Sequence, residues 1–106
     1  MNPGKLNKRI VLQKLATVDD GAGGSEESWQ DTSSVWALIQ PLQGRELYQA
    51  QQINTELTHR ITIRYREDVN ASMRIMYNNR EFTIDSIVNI EESNRFLEMT
   101  CREKVK

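Results

Sequence analysis

Few residues in this chain could carry chemistry. There is one histidine, His59, and one cysteine, Cys101. Acid–base or nucleophilic catalysis needs a second group that orients and activates the first, and no acid stands at a spacing that would pair with His59. Cys101 occupies an alternating apolar position of FLEMTCRE, the place of a small buried hydrophobe rather than a nucleophile. A structural zinc site usually takes about four Cys or His ligands, which this chain does not have. Gly21-Ala22-Gly23-Gly24-Ser25 resembles a phosphate-cradling loop only in its glycines, for it lacks the lysine and no helix follows. Asp19, Asp20, Glu26 and Glu27 flank it without the alternating ligand spacing of a calcium loop, so they read as a solvated acidic loop. The expectation is a protein that is not an enzyme and has no cofactor or metal.

The stretch RITIRYR, residues 60 to 66, poses a different question. Ile61, Ile63 and Tyr65 alternate with Arg60, Thr62, Arg64 and Arg66. One face belongs in a core and the other is basic. Such a basic face suits three roles: a wet sheet surface paired with Glu56, Glu67, Glu98 or Glu103, a nucleic-acid groove, or a face toward another protein or a second copy. With 14 basic and 15 acidic residues the net charge is −1, which argues against coating DNA by bulk charge. The aromatics that could stack on bases, Tyr65, Tyr77, Phe82 and Phe96, are claimed by core positions. Trp36 also suits the core, whereas Trp29, beside the polar loop, suits an interface anchor or a cap on the end of a barrel.

These residues need a frame, and 106 residues make one domain, 1–106. RIVLQKL reads as a strand with Ile10 and Leu12 on one face. Residues 16–34 hold three of the five glycines and no sustained period, so they read as a long, extended and mobile loop, or as a loop that runs into a strand near Trp29. VWALIQPL is a nearly continuous apolar run, the pattern of a strand buried on both faces and ended by Pro41. Residues 44–52 predict a short helix with Leu47 and Ala50, and at its end Ile53, inward; at that length it must dock on something.

From Glu56 the period is two. MRIMY and EFTID flank Asn78-Asn79-Arg80 and predict a hairpin, with Met73, Ile75, Tyr77, Phe82 and Ile84 on the inner side. Ile87 is out of phase with Ile84, which predicts a bulge near Asp85-Ser86. Glu91-Glu92-Ser93-Asn94 is a second turn, and FLEMTCRE closes the chain with Leu97, Met99 and Cys101 inward. The fold class expected is all-β: a small barrel of about six antiparallel strands, one short helix and a long glycine-rich loop. No run of about 18 apolar residues exists to span a membrane, and MNPGKLNKRIVLQKL lacks the apolar core of a secretory signal, so a cytoplasmic protein is expected.

The order GKLNKRI, DDGAGGSEESWQD, VWALIQPLQGRELYQAQQ, HRITIRYRED, REFTIDSIVNI and LEMTCRE resembles the phage head closure proteins, also called head–tail adaptor or stopper proteins, over essentially the whole chain. The helix start departs slightly, since Arg45 separates Gly44 from Glu46. The resemblance implies a non-catalytic β-barrel at the head–tail interface of the virion, present in the host cytoplasm during assembly. It implies a ring of identical subunits between the adaptor protein below the portal and the tail completion protein, holding packaged double-stranded DNA in the channel. It implies a monomer when free. Asp19, Asp20, Gly21, Gly23, Gly24, Glu26, Glu27 and Trp29 would then form a partner or channel loop, and Arg60, Arg64 and Arg66 an inter-subunit or partner face. The alternative on the residues alone is a small OB-like barrel that binds single-stranded nucleic acid.

Overall fold

The computed structural model describes residues 5–104. Six strands and one helix follow in the order β1 (Lys8–Asp19), β2 (Ser25–Pro41), α1 (Gly44–Ile53), β3 (His59–Arg64), β4 (Arg74–Tyr77), β5 (Arg80–Asn89) and β6 (Phe96–Glu103). They close into an antiparallel barrel with strand order β1-β2-β3-β6-β5-β4, the architecture expected. Closure pairs β1 with β4 and leaves the barrel wall without an open edge.

The period-two pattern fills the barrel. Ile10, Leu12, Ala37, Ile61, Ile63, Ile75, Phe82, Met99 and Cys101 are fully buried. Register stacks them: Ile63 lies between Ala37 and Leu97, and Ile61 lies between Ile39 and Met99. The β4–β5 hairpin turns on Asn78 and Asn79, with φ of 46° and 67°. Two successive left-handed residues match the twist of the flanking strands, and asparagine tolerates that region. The bulge expected near Asp85 is present, because Ile84 opposes Cys101 while Ser86 opposes Thr100, leaving Asp85 as the extra residue. That shift returns Ile87 to the inner side, where it packs on the core.

Three expectations are corrected. Residues 16–34 are not one long loop, and the alternative of a strand near Trp29 holds: β1 and β2 stay paired from Lys8 with Ala37 out to Asp19 with Ser25, and the connection narrows to Asp20–Gly24. Inside it the Asp20 carboxylate accepts from the Ala22 and Gly24 N–H groups, and the Asp19 carboxylate from Gly21. The turn thus satisfies its backbone locally, and Gly21 and Gly23 supply its positive φ values of 80° and 84°. The loop signal came from polar residues that have no core to face, not from a lack of strand.

The second correction concerns VWALIQPL. Ala37 is buried and Val35 and Ile39 pack on the core, but Trp36 points outward and is 53% exposed. The third concerns α1. Leu47 and Ala50 are half-buried, yet Ile53 is 85% exposed and no residue of the helix is fully buried. The helix rests on an Arg60–Glu46 ion pair and on a hydrogen bond from Gln51 Nε2 to the Leu57 carbonyl.

The paired extension of β1 and β2 makes the molecule long. Its extents are 51 × 28 × 26 Å and its radius of gyration is 15.1 Å, against about 13 Å for a globular chain of this length. Lys14–Asp19 and Ser25–Gln30 pair only with each other, a free ribbon of six rungs, roughly 20 Å long at 3.3 Å per residue. No helix among the described residues is long and apolar enough to cross a membrane.

Candidate interaction surface

The ribbon and the barrel share one outer face, and a bulge makes it continuous. Leu12 opposes Ser33 and Gln13 opposes Asp31, so Thr32 is an extra residue in β2, and its Oγ1 donates to the Leu12 carbonyl. Trp36 follows Trp29 by seven positions, an odd offset that in a regular strand would send them to opposite faces. The inserted residue restores them to one face.

Each tryptophan carries an arginine. The Arg9 guanidinium lies 5.1 Å from the Trp36 ring centroid, and that of Arg74 lies 4.4 Å from Trp29. Arg74 is also held by Gln13 Oε1 at 2.7 Å and Glu81 Oε1 at 2.8 Å, so the root of the ribbon is clamped to β4 and β5. Leu15 pairs with Trp29 and, with Val18 on the other face, stays exposed. Large aromatics stacked with arginine are the residue types that dominate protein interfaces.

The arginines of RITIRYR are divided by the structure. Arg60 pairs with Glu46 and lies 4.0 Å from Glu98. Arg66 lies beyond the end of β3, where it pairs with Asp68 at 2.8 Å and donates to Ser33 Oγ. The hydrogen bond from Arg66 holds the Asp68 carboxyl below its ordinary value. Arg64 is exposed and has no ion partner among the described residues. Arg74, Arg80 and Arg102 pair with Glu81, Glu103 and Glu56. Five of these six arginines are therefore paired within the chain, and Arg60, Arg80 and Arg102 take partners 14 or more positions away.

The histidine and cysteine are structural in their surroundings. His59 packs edge-on against Phe82 at 5.1 Å between centroids. Burial lowers its pKa, opposed by the Glu103 charge and assisted by Arg80. Cys101 is fully buried, and desolvation pushes its thiol up to about 12, so no thiolate forms at neutral pH. A cleft of about 650 Å³ is lined by Thr55, Glu56, Thr58, Glu81, Thr83, Arg102, Glu103 and Lys104. Its carboxylates already face Arg102, Arg80, Arg74 and Lys104. Among the described residues no group of three or more His, Cys, Asp or Glu is gathered as for a metal.

The family model described as phage head completion protein matches residues 1–104 of the chain. This chain belongs to the phage head completion protein family. Head completion protein gp16 of Bacillus phage SPP1 is 30% identical over 74 residues, which is 70% of this chain and 68% of that protein. Head completion protein gp7 of Enterobacteria phage HK97 is 31% identical over 75 residues, 71% of this chain and 67% of that one. The solution structure of protein SF1141 from Shigella flexneri 2a superposes with a TM-score of 0.78 at 32% identity, covering 100% of this chain and 99% of that one. A chain of the native gene transfer agent virion shares the fold, with a TM-score of 0.62 at 23% identity and coverage of 93% and 94%. The acidic residues Asp19, Asp20, Glu26 and Glu27 sit at the ribbon's far end, with Trp29 at its root. Arg64 lies on the flank of the barrel, apart from them.

Proposed function

We propose that this head completion protein forms a ring of identical subunits between the adaptor below the portal and the tail. The ring closes the head after packaging, retains the double-stranded DNA and offers the tail completion protein a docking surface. The subunit is a monomer until it meets the preceding ring. One observation carries this reading beyond family membership. The barrel buries its own core completely, yet a free two-stranded ribbon with exposed Leu15, Val18 and Trp29 projects from it. A hairpin with no core of its own is marginal in water, so it gains its full stability against another surface.

The test is reconstitution. Filled heads lacking this protein should lose DNA, and adding the purified full chain should stop the loss and restore tail attachment. Several equivalent copies per particle are expected by quantitative mass spectrometry. Heads that retain DNA equally well without the protein would overturn the reading. Binding to single-stranded oligonucleotides should be weak at both about 0.05 and about 0.2 M salt. Tight binding that collapses with salt would instead favour an OB-like nucleic-acid module.

A further inference from the structure

The long axis of this molecule is electrically polar. The free ribbon, residues 14–30, carries Asp19, Asp20, Glu26 and Glu27 against one cation, Lys14. The opposite end of β1 carries Lys8 and Arg9, preceded by Lys5, with no acidic residue in positions 1–13. Arg9 and Asp19 are ten residues apart in one strand, roughly 33 Å by strand rise. No bending of the ribbon lets these ends meet within one subunit.

Both ends are prepared for contact. Arg9 lies over Trp36, which is 53% exposed, and its Nε donates to Ser34 Oγ at 2.9 Å. These contacts hold the guanidinium in place while its terminal N–H groups meet no carboxylate among the described residues. At the other end, Asp19 and Asp20 are ordered by accepting from the turn backbone, and Glu26 and Glu27 are exposed on opposite faces of the ribbon. Arg60 and Arg66 are poorer sockets, because Glu46 and Asp68 already occupy them.

We infer that the acidic ribbon of one copy docks on the basic start of β1 in the next copy, where Arg9 lies beside Trp36 and Lys8 is exposed at the barrel end. The occupant is a second copy of this chain, because the two surfaces are opposite in charge and lie on one molecule out of each other's reach. The contact is heterologous, with different patches meeting, which is the kind that propagates head to tail and closes into a ring when its rotation permits. This inference rests on the ring reading and specifies which surfaces make it.

Charge reversal in the full chain tests the pairing. The double variants Glu26→Lys/Glu27→Lys and Lys8→Glu/Arg9→Glu leave every buried core residue in place, so both should melt like the wild type. Each should lower incorporation into purified heads on the order of tenfold, the effect of like charges set face to face. The quadruple variant should recover most of that loss. Full incorporation of both doubles, or a quadruple variant no better than its parents, would overturn the pairing while leaving the ring standing. A single copy in wild-type particles would overturn the ring reading itself, and this inference with it.

Discussion

Trp29 and Trp36 face the same side of the β1–β2 sheet although they are an odd seven positions apart, because Thr32 is an extra residue between them. Each ring then carries one arginine, Arg74 and Arg9, drawn from different strands. One bulge thus decides which way the ribbon presents its surface.

Deleting Thr32 should remove the bulge and turn the ribbon's faces over. Trp29 would leave Arg74, while Trp36 and the core residues Ile10, Leu12 and Ala37 keep their places. With its guanidinium 4.4 Å from the Trp29 ring, Arg74 should show upfield-shifted side-chain protons by NMR in the wild type and ordinary values in the variant. An unchanged upfield shift would mean the clamp, not the bulge, sets the orientation.

Leu15 and Trp29 oppose each other directly, so Ala16–Ser28 can be replaced by Asn-Gly to form a two-residue hairpin. No core residue lies in the removed segment. Thermal unfolding should shift by no more than a few degrees, within a stability change of about 1 kcal/mol. Heads completed with the shortened protein should leak DNA. Collapse of the barrel in circular dichroism would assign the ribbon a structural task.

Thr62 and Ile63 are adjacent, both fully buried, and should respond in opposite directions. Thr62 Oγ1 has no hydrogen-bond partner among the described residues. Thr62→Val removes that unpaired hydroxyl and should be neutral or stabilising by up to about 1 kcal/mol. Ile63→Asp replaces a core side chain by a charge and should cost roughly 4 kcal/mol or more, a large part of a small domain's stability. Denaturant titration measures both, and a near-native Ile63→Asp midpoint would reverse the face assignment.

Burial lowers the His59 pKa from its ordinary 6.5, so the folded state resists a proton that the unfolded chain accepts. The unfolded state then binds more protons below that value. Stability is present in full above pH 6.5 and falls as pH drops through the window between the unfolded and the lower folded value. His59→Phe should flatten the slope there. The Arg80 hydrogen bond to Glu103 lowers that carboxyl also, and its contribution is lost further down, below the ordinary 4.5. A stability curve between pH 7 and 5 that is identical in both proteins would remove His59 from the account.

Much of the barrel was legible because its signals are local. The alternation of Ile61, Ile63, Phe82, Ile84, Leu97, Met99 and Cys101 marks inward positions, and all are buried. The Asn78-Asn79 pair announces its turn, and the phase slip from Ile84 to Ile87 announces the Asp85 bulge. Residues 25–34 gave no such signal. A ribbon exposed on both faces has nothing to bury and no reason to alternate, so its strands read as loop.

The arginine face shows the same limit. Glu46 meets Arg60 fourteen positions along and Glu103 meets Arg80 twenty-three positions along, pairings that spacing in one strand does not reveal.

By itself the order of side chains determined that the chain is a barrel with a buried thiol, and its motifs pointed to a head completion protein. Only the closed sheet decided which tryptophans face outward, which arginines are already paired and how far the ribbon extends. Period and turn chemistry act between neighbours in sequence, whereas exposure and charge pairing depend on which distant strands become neighbours in space.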